Sequence, residues 1–393
     1  MAFEKLSIVI PAYNEEDAIE SIITRCLNAS TEIISKTPVN DVEIIVVSDG
    51  SVDKTVDRAK AFEPSIKLIA YVPNRGYGAA LKTGFHEAKG DLVSFLDADG
   101  TCDPLYFIDM VNKMETDNAD IVIGSRMGKN SKMPRIRRFG NTVFVNLIKF
   151  LSKQELTDSA SGMRVIKKNR LNEIYPLPDG LHFTPAMSVK ALFDSNLKIS
   201  EVDMTYKERV GESKLSVFKD GFRFLRVILE AALGYNPFRL LTSMSVFFFL
   251  FSASFASLLI KTVITGEEFE EWMFYRFIAV LVTFTSGILM LIIGRITQTL
   301  MDLANNTTPR TSFLRNITQN LFLRFGWLTG ICSLIVGIII LWPGLYEYLT
   351  HGTVSMHWAL TMLGSFVLLF ALLSWTTGIL NVGLNYIKYR LGR

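Results

Sequence analysis

Residues 6–16 read LSIVIPAYNEE, an apolar, β-branched run of strand length that stops at a polar cluster. The pattern returns in DVEIIVVSDGS (41–51), IKLIAYV (66–72) and DLVSFLDAD (91–99). Runs of this composition closed by turn residues predict strands. Helix-like stretches lie between them, over Glu15–Leu27, Asp53–Phe62 and Tyr77–Ala88. Alternating strand and helix predicts an α/β fold, a mostly parallel sheet with helices on both faces. Ligands of such sheets bind where the strands' carboxyl ends open into loops. Four polar clusters fall there: Tyr13-Asn14-Glu15, Asp49-Gly50-Ser51, Asn74-Arg75-Gly76 and Asp97-Ala98-Asp99. Four in succession predict one pocket.

Asp97 and Asp99 close the fourth run. Side chains two apart on a strand share a face, so both carboxylates can meet one cation if the chain stays extended. Oxygen-only ligands there suit Mg²⁺ or Mn²⁺, with phosphate oxygens and waters filling the shell. Such an ion stabilises charge on a departing diphosphate. The plainer alternative is a polar turn that merely ends the strand. Gly76-Tyr77-Gly78 resembles the start of a GxGxxG turn, but Leu81 stands at the third glycine position and the pair follows the third strand. A dinucleotide site is therefore not expected. A phosphate or sugar contact and a tight start to the next helix both remain open.

The ordered series IPAYNEE, SDGS, NRGYGAAL, LDADG, GSR and SGMR, over roughly residues 5–230, resembles glycosyltransferase family 2. Within it the chain looks most like the dolichyl- or polyprenyl-phosphate hexosyltransferases. The resemblance implies a GT-A fold. It implies that Pro11, Tyr13, Glu15 and Asp49 hold the nucleotide, with Asp97 and Asp99 on a diphosphate-bound metal. Arg126, Arg137 and Arg209 become contacts to the donor or to an acceptor phosphate. Asp158, in TDSASGMR, matches an aspartate near the reaction centre, although spacing alone equally allows a helix N-cap. Three positions depart from the pattern: Thr101 replaces a glutamine ligand, Asn141 replaces a serine, and Ala186 fills the place of a glutamate.

An inverting transferase acting on a hydroxyl needs a general base. No clear Glu-Asp dyad and no QxxRW motif is found in the middle segment. A phosphate monoester is already ionised and needs only cations to seat it. The sequence offers Arg126, Arg135, Arg137, Arg138, Arg164, Arg209 and Lys214, and arginine suits bidentate phosphate recognition. For the middle cluster the alternative is an ordinary solvated surface. Arg126, Arg137, Asn141 and Lys214 form the candidate acceptor-phosphate set; Asp99, Asp158 and Arg126 form the candidate catalytic set. His182, beside Phe183, is read as a packing or orienting residue.

Four apolar stretches, about 238–260, 277–299, 326–345 and 358–381, reach the ~20 residues that span a bilayer. GEEFEEW lies between the first two and LYEYLTHGTVSMH between the last two, both without Lys or Arg. Arg310, Arg315 and Arg324 occupy the central loop, and Lys388, Arg390 and Arg393 the tail. Positive residues stay cytosolic, so both termini and the first domain are expected there. The start MAFEKLSIVIPAYNEE lacks the regions of a cleaved signal peptide. Between the halves, Lys219, Arg223 and Arg226 share one helical face, while Phe218, Phe222, Leu225 and Leu229 share another. Such a helix lies in the headgroup plane or packs on the catalytic domain. The expected domains are 1–212 (catalytic), 213–236 (interface helix) and 237–393 (membrane).

The chain has 393 residues, net charge +3 and three cysteines, Cys26, Cys102 and Cys332. That charge gives no reason to expect nucleic acid. The spacing supports neither a zinc site nor a disulfide framework. The combined expectation is a metal-dependent, inverting transfer of a hexose from a GDP- or UDP-type donor to a polyprenyl phosphate. Transfer to another lipid or a lipid-linked glycan is the alternative within enzymes. A transporter or flippase is the alternative outside them, against which the spans carry almost no ionisable groups. Four spans leave room for a homo-oligomer.

Overall fold

The computed structural model describes residues 3–128, 131–152, 155–194, 196–207, 217–266, 270–304 and 325–390. The chain divides into two compact units, Met1–Ala232 and Leu233–Arg393.

The first unit is built on a seven-stranded sheet. Its strands are β1 (Phe3–Ala12), β2 (Val39–Asp49), β3 (Lys67–Tyr71), β4 (Leu92–Phe95), β5 (Ile121–Ser125), β6 (Arg164–Lys167) and β7 (Ile199–Asp203), in the order β3-β2-β1-β4-β6-β5-β7. The helices are α1 (Ile19–Lys36), α2 (Thr55–Lys60), α3 (Tyr77–Glu87), α4 (Tyr106–Asp117), α5 (Arg135–Ser152), α6 (Leu171–Ile174), α7 (Phe183–Phe193) and α8 (Val217–Tyr235). The last reaches three residues into the second unit.

β1 shows why both faces are covered. Alternate side chains of a strand point to opposite sides. Leu6, Ile8 and Ile10 join a core with Ile19, Ile22, Ile23 and Cys26 of α1 and Phe107, Met110 and Met114 of α4. Val9 points the other way, against α3, where a Cβ on Gly84 would collide with it. On that side Phe85 of α3, Phe95 of β4 and Phe183 of α7 meet with ring centroids 5.9, 6.3 and 6.4 Å apart. A central strand buried on both faces reads as a continuous apolar run, as IVIPA does.

β6 alone runs antiparallel to its neighbours; every other pairing is parallel. The loops leaving β1, β2, β3, β4, β5 and β7 therefore share one edge with the loop that leads into β6. α1 begins later than the sequence predicted because Asn14 takes a left-handed turn (φ 51°). Its N–H donates to Ser51 Oγ at 3.1 Å and its Oδ1 accepts Val52 N–H at 2.9 Å, which ties the β1 loop to the β2 loop before the helix starts.

α8 presents Asp220, Phe224, Ile228 and Ala232 inward, with Phe224 edge-on to Phe144 of α5 at 6.0 Å, while Phe222 is 74% exposed. It packs on the rest of the first unit by one face and leaves Phe222 outside.

The second unit contains α9 (Pro237–Thr265), α10 (Phe274–Ala304), α11 (Gly326–His351) and α12 (Trp358–Arg390). Among the described residues four helical segments are long and apolar enough to cross a membrane, Pro237–Thr265, Glu271–Ala304, Gly326–His351 and Trp358–Leu384. Small residues let the pairs close. Gly287 and Gly294 of α10 lie against Phe249 and Leu241 of α9, and Ser245 Oγ donates to Gly287 O at 2.7 Å. Gly330 and Gly337 of α11 face Trp375 and Leu368 of α12.

Candidate active site

All of the polar clusters predicted from sequence arrive at the shared sheet edge. Asp49 ends β2, and its carboxylate accepts Arg75 N–H at 2.7 Å and Gly76 N–H at 2.8 Å. Asn74 Nδ2 donates to Asp49 O at 2.8 Å. Asp49 is thus the brace of the β3–α3 loop, and it is almost wholly buried. Pro11 is buried beside Val47 in the β1–β2 ladder, whereas Tyr13 is 37% exposed on the loop that follows. Glu15 N–H donates to Thr55 Oγ1 at 2.9 Å.

The aspartate pair departs from its expected geometry. β4 ends at Phe95, so Asp97 lies beyond the strand and Asp99 in the turn that follows, and the alternation of an extended strand does not reach them. The cause is local. Asp99 Oδ1 accepts both Thr101 N–H (3.1 Å) and Thr101 Oγ1 (2.6 Å), and Gly100 follows with φ 74°. A short acidic side chain that bonds two residues ahead curls the backbone. Thr101, which stands where a glutamine ligand was expected, is bonded to the carboxylate of Asp99. Asp97 Oδ1 accepts the phenol of Tyr77 at 2.7 Å. Gly162 presses so closely on Asp97 Oδ2 that a Cβ there would overlap it.

Across the site, Arg126 follows β5 and Asp158 lies in the loop before β6. Arg126 Nε and Nη2 donate to Oδ2 and Oδ1 of Asp158 at 2.7 and 2.8 Å, and its backbone N–H adds a third bond at 3.0 Å. Asp158 begins no helix; β6 follows, so the N-cap reading falls. Burial pushes the Asp158 carboxyl up, but the Arg126 charge and hydrogen bonds outweigh it and the pKa ends below the usual carboxylate range. Glu201 of β7 supports the same loop, accepting Thr157 N–H at 2.8 Å and Asp158 N–H at 3.1 Å; burial raises its own pKa.

Two cations predicted for the acceptor have other occupations. Arg164 of β6 is fully buried, and its Nε and Nη2 donate to the carbonyls of Ser161 (3.2 Å) and Ser159 (3.1 Å). Arg138 donates through Nη2 to Met127 O and Gly128 O at 3.0 and 2.7 Å. Asn141 has internal partners as well. It is 6% exposed, with Nδ2 on Thr157 O (2.9 Å) and Oδ1 accepting Ser159 N–H (3.1 Å) and Ser159 Oγ (3.0 Å). It braces the Asp158 loop from inside. Arg137 is half-buried on the first turn of α5. Arg209 and Lys214 lie outside the described residues.

Tyr206, just past β7, gathers the two halves. Burial raises its phenol pKa first; Asp99 and Asp97 raise it further and Arg126 opposes them. Cys102 feels the same two carboxylates, and burial above all pushes its thiol up to about 12. Asp97, Asp99 and Arg126 therefore share one electrostatic neighbourhood, with the Arg126 guanidinium 5.7 Å from the centre of the Tyr206 ring. Among the described residues no group of three or more His, Cys, Asp or Glu is placed to hold a metal ion. Sequence reasoning missed Tyr77, Gly162, Glu201 and Tyr206 as parts of this site. Tyr77 and Gly162 carried a signal, their places inside the NRGYGAAL and SGMR motifs.

A family model, Glycosyl transferase family 2, matches residues 7–175. A dolichyl-phosphate hexose transferase from Haloferax volcanii is 31% identical over 240 residues, 59% of this chain and 95% of that protein. The chain belongs to glycosyl transferase family 2. The family read from the motif series is thus the right one, and the mostly parallel sheet expected from sequence is the one observed. A second similar protein is the low-salt glycan biosynthesis hexosyltransferase of Haloferax volcanii, 29% identical over 237 residues, 58% of this chain. This chain spans about half of that relative's length, 54%. Among solved structures, glucosyl-3-phosphoglycerate synthase from Mycobacterium tuberculosis, in complex with Mn²⁺, uridine diphosphate and phosphoglyceric acid, is similar at TM-score 0.48 and 21% identity. That similarity covers 58% of this chain and 78% of the other.

Proposed function

We propose that this family 2 glycosyltransferase moves a hexose, mannose or glucose, from a nucleotide diphosphate sugar to a polyprenyl phosphate. The observation that carries the reading is the pairing of chemistry with place. The Asp97/Asp99 pair and the Arg126–Asp158 pair sit on one sheet edge, in a chain with four helices of membrane-spanning length. The dolichyl-phosphate relative supports the same acceptor.

Two carboxylates suit Mg²⁺ or Mn²⁺, ions that keep several waters and take phosphate oxygens as further ligands. Asp97 and Asp99 fit that donor set and would hold the ion. When bound, it supplies positive charge for the departing nucleotide diphosphate. The residues around it do the rest. The loops of Pro11, Tyr13, Glu15 and Asp49 receive the nucleotide, and Arg209 is assigned to the same donor. Arg137 and Lys214 seat the acceptor phosphate. An ionised oxygen of that phosphate attacks the anomeric carbon as the bond to the diphosphate breaks, with inversion. No base is required, because the nucleophile carries no proton to remove. Arg126 and Asp158 neutralise each other, so their part is to hold the loop beside Asp97 in place.

The bilayer is a partner in this reading. α5 contains no acidic residue, carries Arg135, Arg137, Arg138 and Lys149, and leaves Ile136, Phe139, Val143 and Phe150 exposed. A basic helix with an apolar outer face suits the headgroup boundary of an anionic membrane. The absence of Lys and Arg from the 263–274 and 345–357 loops supports both termini and the catalytic unit on the cytosolic side.

The metal assignment is tested with purified full chain in detergent. EDTA and the Asp99→Ala change should each nearly abolish transfer, with the melting temperature of the protein retained. Transfer that survives both refutes it.

A further inference from the structure

Gly76-Tyr77-Gly78 resembles a phosphate-binding turn, yet the N–H groups of both glycines are spent inside the protein. Anions at helix N-termini need backbone N–H groups that point outward. At the start of α3, Gly78 N–H donates to Asp179 O at 2.6 Å and Ala79 N–H to the same oxygen at 3.2 Å. One step earlier, Arg75 and Gly76 give their N–H groups to the Asp49 carboxylate. The glycines serve close approach. Gly76 has φ 107°, and a Cβ on it would stand 2.5 Å from Asp179 O; a Cβ on Gly78 would overlap Pro178 O.

What this packing positions is Tyr77. Its hydroxyl reaches Asp97 Oδ1 at 2.7 Å from one side. From the other side the backbone of Gly162 closes on Asp97 Oδ2. That second wall is held by Arg164, which ties down the carbonyls of Ser159 and Ser161. One oxygen of Asp97 is thus addressed from α3 and the other from the loop before β6, two elements far apart in sequence.

We propose that Tyr77 is a positioning residue for Asp97, and that the glycine pair exists to seat its phenol beneath the carboxylate. The inference rests on the reading of Asp97 and Asp99 as the metal-holding pair. Outer hydrogen bonds that fix a carboxylate ligand commonly change metal affinity by about 10–100-fold when removed. Tyr77→Phe deletes one hydroxyl and keeps the ring that fills the space.

The experiment is titration of Mn²⁺ into full-length protein in detergent, with GDP or UDP present, followed by the paramagnetic resonance of free Mn²⁺. Tyr77→Phe should weaken Mn²⁺ by about 10–100-fold with little change in melting temperature. In an Asp97→Asn background the same change should add almost nothing, because its effect passes through Asp97. Gly162→Ala, which crowds Asp97 from the opposite side without touching Tyr77, should also weaken Mn²⁺. Wild-type affinity in Tyr77→Phe, or an equal loss in both backgrounds, overturns the proposal. If wild-type protein holds no Mn²⁺ with either nucleotide, the metal site itself is refuted and this inference falls with it.

Discussion

Arg126 closes on Asp158 through two parallel bonds, Nε to Oδ2 at 2.7 Å and Nη2 to Oδ1 at 2.8 Å, and Asp158 is wholly shielded from water. Removing one partner of a buried pair strands the other charge, at a cost of about 3–5 kcal/mol, whereas replacing both by apolar residues is far milder. Asp158→Ala should therefore destabilise the protein by about that amount. An Arg126→Met, Asp158→Leu double variant should recover much of it. Calorimetry of the full chain checks both; additive losses in the double variant would contradict the pairing.

The same pair fixes a pH dependence. The folded pKa of Asp158 lies below its ordinary value, so its contribution is complete above about pH 4 and is lost as pH falls through the lowered value. Glu201 has the opposite sign. Its raised pKa gives a contribution present below about pH 4 and lost as pH rises through the folded value. Melting temperatures measured downward from about pH 6 should fall more steeply in wild type than in Asp158→Asn. Parallel curves would contradict the assignment.

Gly76 holds a left-handed φ of 107°, and Asp179 O stands 2.5 Å from where a Cβ would be. Gly76→Ala should cost at least about 1–3 kcal/mol of stability, the range for an L-residue held in such a conformation. Chemical denaturation of the full chain measures it. A neutral substitution would mean that the loop at 178–180 relaxes freely.

Phe139 is 71% exposed and Ile136 is 61% exposed on the outer face of α5. If that face enters the bilayer, each side chain contributes on the order of 1.5–3 kcal/mol of burial. Phe139→Glu should then raise the KM for a long polyprenyl phosphate by about tenfold or more. The KM for a short, water-soluble prenyl phosphate should stay the same. Equal effects on the two acceptors would take α5 out of the interface.

The sheet was legible because β1, β2 and β4 are buried on both faces, which leaves uninterrupted runs such as IVIPA and EIIVVS. The four spans were legible by length and hydropathy alone. The site was read less completely because its geometry depends on contacts distant in sequence. Arg126 and Asp158 are 32 positions apart, and Tyr77 and Asp97 are 20 apart. Spacing also placed the aspartates on an extended strand, and the Thr101 hydroxyl undoes that by curling the turn. Arg164 and Asn141 read in sequence as candidate phosphate contacts, but β6 and α5 carry them inward to brace the loop before β6. Arginines in sequence advertise charge; only packing shows whether a carbonyl has already taken it.

The central claim is that the acceptor is a phosphate, which spares the enzyme a base. The most direct measurement presents radiolabelled GDP- and UDP-hexoses, with Mn²⁺ or Mg²⁺, to a polyprenyl phosphate and in parallel to the matching polyprenol and a diacylglycerol. The account predicts a labelled lipid only from the phosphate, from one nucleotide sugar, and none after EDTA. Label on a hydroxyl-bearing lipid, with none on the phosphate, would contradict it.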